Sequence, residues 1–166
     1  IIGSDGNDVI RGDAGADHLS GGQGDDRFFY NVGTIGADSV FGNLGHDAIV
    51  LAGGGSFDFR AEGVQLTQLE EIEFGGGDQT LIISADEIND GFTTGLLIDG
   101  FLNAGNNETL SIQMDVDTTL DMSGWTFLDW VEVDDQIFVT GDASSEIIIG
   151  STVDDNVSMG DGNDTF

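Results

Sequence analysis

The first fifty residues carry one large apolar side chain every nine residues, each within a short stretch of alternating character. Five nonapeptides, interrupted once by residues 30–32, place this side chain at their eighth position, and these residues are Ile10, Leu19, Phe28, Val40 and Ile49. Alternation over three residues predicts a short β-strand with one inward face. One apolar residue cannot bury itself alone, so the pattern predicts strands that stack on copies of themselves.

Glycine and aspartate recur between these strands. Each nonapeptide has Gly at its first and fourth positions and Asp at its sixth, and these acids are Asp8, Asp17, Asp26, Asp38 and Asp47. Glycine allows a tight turn and a close approach of the backbone. One carboxylate per turn, together with main-chain carbonyls, forms an oxygen-only donor set that suits Ca²⁺. The alternative is that these residues only form turns, as Gly and Asp often do.

The nonapeptides resemble the repeats-in-toxin (RTX) family, the hemolysin-type calcium-binding repeats of secreted bacterial proteins. The resemblance implies an all-β fold, a right-handed parallel β-roll or β-solenoid with two nonapeptides per coil and Ca²⁺ between the turns. It also implies that one turn provides carbonyls from its first and third positions plus its Asp. The turn two units later then provides carbonyls from its second and fourth positions plus its Asp.

Transferred to this chain, the resemblance implies three Ca²⁺ sites. The expected ligands are Gly3, Asp5 and Asp8 with Gly22, Gly24 and Asp26; Gly12, Ala14 and Asp17 with Thr34, Gly36 and Asp38; and Gly21, Gln23 and Asp26 with Asn43, Gly45 and Asp47. The insertion at residues 30–32 lies within the second and third sites. We therefore expect the first site to be the most regular.

Residues 141–166 return to the nonapeptide register. Their sixth positions hold Glu146, Asp155 and Asp164, but only the last unit keeps the fourth-position glycine, as Gly162. We expect these units to continue the strand stack, with Ca²⁺ bound only around Asp164. Because the repeat pattern is interrupted at both ends of the chain, we expect a fragment of a larger secreted bacterial protein.

The middle of the chain lacks the repeat but keeps short apolar stretches. The expected strands are 57–60, 71–74, 81–83, 96–98, 109–113, 119–122 and 136–140. A capping box at Ser84–Glu87 predicts one helical turn that ends before Gly91. We divide the chain into an N-terminal RTX β-roll (1–50), a non-repeat β-rich segment that continues the solenoid with irregular coils (51–140), and degenerate repeats (141–166). The alternative for the middle is a small β-sandwich inserted between two rolls.

Two features of the middle segment are candidates for a metal site and for a sugar-binding site. Asp115, Asp117 and Asp121 follow the alternate spacing of an EF-hand loop, but Leu120 stands where that loop needs Gly, so we interpret them as solvated acids. Trp125 and Trp130 lie in the most aromatic stretch of the chain. They either form a platform for sugar stacking or cap the core, and core packing is the favoured interpretation.

The charge of the chain restricts its partners. Thirty-two acidic residues face only three basic ones, which gives a net charge of −29. This charge opposes compaction, excludes nucleic acid as a partner, and disfavours anionic membranes. No apolar stretch is long enough for membrane insertion. With no cysteine for disulfides, we expect folding to be coupled to Ca²⁺.

No residue set predicts an enzyme. His18 and His46 occupy solvent-facing repeat positions, and no nucleophile, base and orienting group come together. The first functional hypothesis is a structural module that folds on Ca²⁺ after secretion from a Gram-negative bacterium by one-step (type I) export, and spaces or stiffens a large surface protein. Its partners are then Ca²⁺, neighbouring repeats of the parent chain, and other copies by head-to-tail association. The alternative is a carbohydrate-binding module of a polysaccharide-acting enzyme, because RTX rolls are similar to accessory modules of alginate epimerases.

Overall fold

The computed structural model describes residues 1–60, 63–101, 106–114, 119–131 and 133–166. Asp115 and Asp117 of the EF-hand-like spacing lie outside these residues. The described strands are β1 (Val9–Ile10), β2 (His18–Gln23), β3 (Arg27–Asn31), β4 (Ser39–Leu44), β5 (Ala48–Ala52), β6 (Gly55–Asp58), β7 (Gln65–Thr67), β8 (Leu69–Phe74), β9 (Gln79–Ser84), β10 (Phe92–Asp99), β11 (Glu108–Gln113), β12 (Thr119–Asp121), β13 (Thr126–Leu128), β14 (Gln136–Thr140), β15 (Ile147–Ile149) and β16 (Asp155–Ser158). The described helix is α1 (Ala85–Gly91).

Parallel pairing joins these strands into sheets. The largest sheet has the order β1-β3-β5-β8-β10-β13, and a second has the order β16-β14-β11-β9-β6. Smaller sheets contain β2-β4-β7 and β12-β15. Every pairing between the strands named above is parallel. The chain is therefore mostly β, as the alternating pattern predicted.

The number of residues needed to return to the same sheet changes along the chain. The separation between stacked acids is 18 residues for Asp8 and Asp26, and 21 for Asp26 and Asp47. It grows to 27 for Glu108 and Asp135, and falls again to 18 between Glu146 and Asp164. The N-terminal value of 18 corresponds to two nonapeptides per return, and the three-residue insertion accounts for 21.

In the middle of the chain, more residues separate two successive strands of the largest sheet because the chain passes through two other positions between them. From β5 onward, the chain visits the largest sheet, then the β6-containing sheet, then a third position before it returns. β7 occupies this third position first, α1 occupies it next, and β12 occupies it after that. The helix contacts both strands. The helix thus takes the place of a strand.

The apolar eighth positions form the core, as the pattern predicted. Ile10, Leu19, Phe28, Val40 and Ile49 are all buried. They belong to one continuous cluster that includes Phe57, Phe74 and Ile112 of the middle segment and Ile148 near the C-terminus. Each coil therefore buries its few apolar residues against the coils above and below it.

The capping box at the start of α1 forms as expected. Ser84 Oγ accepts a hydrogen bond from Glu87 N at 3.1 Å, and the Ser84 hydroxyl donates to the Glu87 carboxylate. The helix extends to Gly91 instead of ending before it. Strands β7 and β13 were not predicted.

Two glycines at the same repeat position allow the effect of coil contact to be measured. Gly15 and Gly45 both hold the fourth position with positive φ, at 134° and 148°. A Cβ at Gly45 would collide with the Gly24 carbonyl, whereas nothing lies within 4 Å of one at Gly15. We expect Gly15→Ala to cost about 1 kcal/mol through backbone strain, and Gly45→Ala to cost a further ~1–3 kcal/mol through the collision.

Urea unfolding at saturating Ca²⁺ measures the two costs. Equal losses of the free energy of unfolding would show that the turn at residues 42–47 does not press against the turn at residues 21–26.

Candidate metal centre

The turns stack in the pairs that the repeat predicted. The turn at residues 3–8 lies against the turn at 21–26, which lies against that at 42–47, and the turn at 12–17 lies against that at 33–38. In each pair the backbones approach so closely that a Cβ on one glycine would collide with a carbonyl of the facing turn, as between Gly3 and Gly21, Gly36 and Gly15, and Gly45 and Gly24. Only glycine fits such an approach.

The sixth-position aspartates form hydrogen-bonded columns along the stack. Asp26 Oδ1 accepts from Asp8 N at 2.8 Å, and Asp47 Oδ1 accepts from Asp26 N at 2.8 Å. On the other side, Asp38 Oδ1 accepts from Asp17 N at 2.9 Å. The structure therefore brings together each of the three aspartate pairs named from the sequence, including the two pairs that span the insertion.

The second oxygen of these carboxylates has no hydrogen-bond partner. Asp17, Asp26, Asp38 and Asp47 each have a buried Oδ2 in this condition. Burial raises the pKa of Asp26 and Asp47 above the usual value near 3.8, although their hydrogen bonds to main-chain amides oppose it. A buried carboxylate without a positive partner is costly. The aspartate columns therefore fit a divalent cation, which prefers such oxygens.

Main-chain carbonyls of one turn lie close to glycines of the facing turn. The Gly21 carbonyl, at the first position of its unit, faces back toward Gly3 of the earlier turn. The Ser4 and Gly15 carbonyls, at second and fourth positions, face forward toward Gly22 and Gly36. In these contacts the earlier turn provides its second and fourth positions and the later turn its first.

The other residues expected as ligands make the following contacts. Asp5 Oδ1 accepts from Gln23 Nε2 at 3.1 Å, so these two side chains bridge the first pair of turns at the surface. Thr34 Oγ1 donates to Asn31 O at 2.9 Å within the inserted loop. Asn43 has positive φ, and its amide donates to Ser20 Oγ at 3.1 Å. Ala14 is exposed; these positions can act only through their main-chain carbonyls or surface side chains.

The insertion contributes a buried phenol beside the second aspartate column. Tyr30 packs edge-on against Phe59, with ring centroids 5.0 Å apart. Burial raises the pKa of the Tyr30 hydroxyl, and the nearby carboxylates of Asp38 and Asp17 raise it further. Asn31 and Val32, which follow Tyr30, are exposed, and the turns on either side of the insertion remain stacked.

Two acids extend the columns beyond the residues chosen from the sequence. Glu70 Oε2 accepts from Asp47 N at 2.9 Å, which continues the first column past the last regular repeat. Near the C-terminus, Asp164 Oδ1 accepts from Glu146 N at 3.1 Å, and both carboxylate oxygens of Glu146 are buried without a partner. The sixth-position signal identified Asp164 and could have included Glu146, whereas Glu70 lies in no repeat.

Side chains alone do not complete a metal site. Within the described ranges, no group of three or more His, Cys, Asp or Glu side chains is arranged to hold a metal ion. Each pair of stacked turns provides two carboxylates. Main-chain carbonyls must therefore supply the remaining ligands, in keeping with the six to eight oxygens that Ca²⁺ prefers.

Comparison with known families agrees with this geometry. Residues 2–34 and 32–57 match the RTX calcium-binding nonapeptide repeat, whose family model contains four copies. The matched residues are the N-terminal nonapeptides that form the aspartate columns. RTX nonapeptide repeats bind Ca²⁺ and form a structural module of RTX proteins, which are typically secreted. No curated protein and no solved structure matches the chain.

The remaining chemistry-bearing side chains are engaged in surface and core contacts. His18 stacks at a tilt on Phe41, with centroids 5.1 Å apart, and His46 Nε2 lies 3.0 Å from Glu71 Oε2. Trp125 is buried, and Trp130 packs against Phe127. No helix among the described residues is long and apolar enough to cross a membrane.

The raised pKa values of Asp26 and Asp47 predict the pH dependence of the ion-free chain. A carboxyl whose pKa is higher in the folded state binds its proton more tightly there, so stability falls as the pH rises from about 3.8 through the raised value. In excess chelator, we expect β-structure to increase as the pH is lowered through the raised pKa values of Asp26 and Asp47. Far-UV circular dichroism over a pH series measures this change.

The Asp47→Asn variant removes one of the titrating groups and should flatten this profile, whereas Asp90→Asn on the exposed end of α1 should not. Stability in chelator that rises with pH across the same range would contradict the buried state of these carboxylates.

Proposed function

We propose that this chain is a calcium-dependent structural module that folds after secretion and spaces or stiffens a larger extracellular protein. The observation that carries the proposal is the aspartate columns, whose buried Oδ2 atoms have no partner. A cation between stacked turns would offset repulsion at the points where carboxylates lie closest. Folding would then require Ca²⁺.

The scarcity of basic residues supports a metal as the counter-ion. Arg11 lies over the Phe29 ring at 4.3 Å, Arg27 pairs with Glu73, and Arg60 pairs with Asp58. The chain has no lysine. Its positive side chains are therefore engaged away from the aspartate columns.

For the ligands, we propose that each ion lies between two stacked turns and contacts both aspartates. Main-chain carbonyls of the two turns would provide the remaining ligands. For the first site these are the carbonyls that the resemblance implies, those of Gly3 and Asp5 from the earlier turn and those of Gly22 and Gly24 from the later one. The site around Glu146 and Asp164 would follow the same rule.

We infer that the chain forms a right-handed parallel β-roll that widens into a three-sided solenoid between residues 51 and 140. Parallel pairing supports this over an inserted β-sandwich, because sandwiches are built from antiparallel sheets. The right hand is the one that parallel crossovers adopt almost without exception. The division at residues 50 and 140 separates the repeat-bearing ends from the wider middle.

The proposed place of action is outside a Gram-negative cell. Extracellular calcium modules bind with Kd values of about 10⁻⁴–10⁻³ M, so the chain would remain unfolded during export and fold in the external medium. Carbohydrate binding is not part of the proposal, because Trp125 is buried and Arg60 is paired with Asp58.

Two aspartate variants test whether stacked turns share ions. Asp26 contacts the turns on both sides of it, whereas Asp8 lies at the start of its column. We expect Asp26→Asn to raise the Ca²⁺ midpoint of folding by about tenfold, equivalent to about 1.4 kcal/mol, and Asp8→Asn to raise it less. The midpoint is read by far-UV circular dichroism during Ca²⁺ titration.

Asn keeps the Oδ1 acceptor, so these substitutions remove charge and leave the column hydrogen bond in place. Equal midpoints for the two variants would contradict the shared arrangement, and a wild-type chain that is fully ordered in excess chelator would refute the proposed function.

A further inference from the structure

A further pair of stacked carboxylates lies in the middle segment, outside the residues that match the RTX family. Glu108 is the first residue of β11, and Asp135 immediately precedes β14, whose strand pairs with β11 in parallel. Asp135 Oδ1 accepts from Glu108 N at 3.0 Å. The same bond joins Asp8 N to Asp26 in the repeats. The middle segment thus reproduces one step of an aspartate column without the nonapeptide sequence.

Both carboxyl groups are removed from solvent. The exposed fractions are 1% for Glu108 and 4% for Asp135. The second oxygen of Asp135 accepts a hydrogen bond from Val131 N, so two main-chain amides hold this carboxylate in place. Glu108 Oε1 has no hydrogen-bond partner. A buried carboxylate oxygen in this condition needs a positive partner to be tolerated.

Within the part of the chain that the structure describes, no positively charged side chain acts on the Glu108 carboxyl. The charged groups that act on the Glu108 carboxyl are Asp135 and Asp78, and both are acids. The arginines are engaged at Phe29, Glu73 and Asp58, as described above. The neutralising charge must therefore come from a bound cation or from a proton.

The column ends on its other side at Gln79, which pairs with Glu108 across β9 and β11. The Gln79 side-chain amide donates to the carbonyls of Leu51 and Gly53, each at 2.8 Å. These carbonyls need a donor at this place, and Gln79 supplies it. A cation would therefore be confined to the interval between Glu108 and Asp135.

We propose that Glu108 and Asp135 bind a divalent cation of the Ca²⁺ class at a site separate from the nonapeptide repeats. Glu108 Oε1 and the Asp135 carboxylate provide hard oxygen ligands, and Asp78 adds negative charge nearby. The competing occupant is a proton, because burial and the hydrogen bond to Asp135 raise the pKa of Glu108 to about 8.

Terbium luminescence separates this site from the repeats. Trp130 directly precedes Val131, whose amide binds Asp135, whereas residues 2–57 contain no tryptophan. In the full chain loaded with Tb³⁺, excitation selective for tryptophan should give sensitised emission. We expect Glu108→Gln to abolish most of this emission and to lower the calorimetric Ca²⁺ stoichiometry by one ion. Asp26→Asn should keep the emission, and Asp90→Asn should change neither quantity.

The experiment distinguishes a bound cation from a bound proton as the group that neutralises Glu108 and Asp135. Unchanged emission and stoichiometry in both Glu108→Gln and Asp135→Asn would overturn the proposal, because a proton then neutralises the pair. Absence of sensitised emission from the wild-type chain would also overturn it. If Asp135→Asn fails to fold, Glu108→Gln decides alone, since Gln has the same shape and circular dichroism reports its folding. If only Asp26→Asn lowers the Ca²⁺ stoichiometry, the repeats bind Ca²⁺ and the proposed site at Glu108 and Asp135 does not.

Discussion

The neutralisation of buried carboxylates is the constraint on which the rest of this structure depends. Stacking short strands in parallel brings equivalent residues of successive coils to within one strand spacing, about 4.8 Å. Any acid that recurs with the coil period is therefore placed next to its own copy. Asp8, Asp26 and Asp47 show this directly, because each accepts from or donates to the next along the column. The fold that creates the hydrophobic core also concentrates negative charge.

The column hydrogen bond gives each carboxylate two different roles. Its first oxygen accepts from the amide of the preceding acid and so fixes the register between coils. Its second oxygen remains inside the turn without a hydrogen-bond partner, as at Asp26 and Asp47, where a cation or a proton can neutralise it. Register and ion binding are thus linked through one side chain, which explains why an Asp is kept at a single position of each unit.

Regular repeats allowed much of this arrangement to be predicted from the sequence. The period of nine residues, combined with the two nonapeptides per coil that the resemblance implies, led to the pairs that begin at Asp8, Asp17 and Asp26. The contacts between main-chain carbonyls and the glycines of the facing turn did not follow, because they depend on how the peptide planes of two facing turns are oriented in space.

The middle segment was harder to predict for another reason. The pairing of Glu108 with Asp135 spans 27 residues without a repeat. The free-energy cost of closing a loop changes slowly with its length, so composition does not specify the return distance.

The change in coil size along the chain has a mechanical consequence. Every coil adds the same ~4.8 Å of length to the stack, whether it contains 18 residues, as at Asp8, or 27, as at Glu108. When a pulling force detaches a coil, an extended chain of 18 residues spans about 60 Å, and one of 27 spans about 90 Å. Detaching one central coil would therefore release about 1.5 times the chain length that is released by detaching one coil near the ends. A stack built in this way extends unevenly along its own axis.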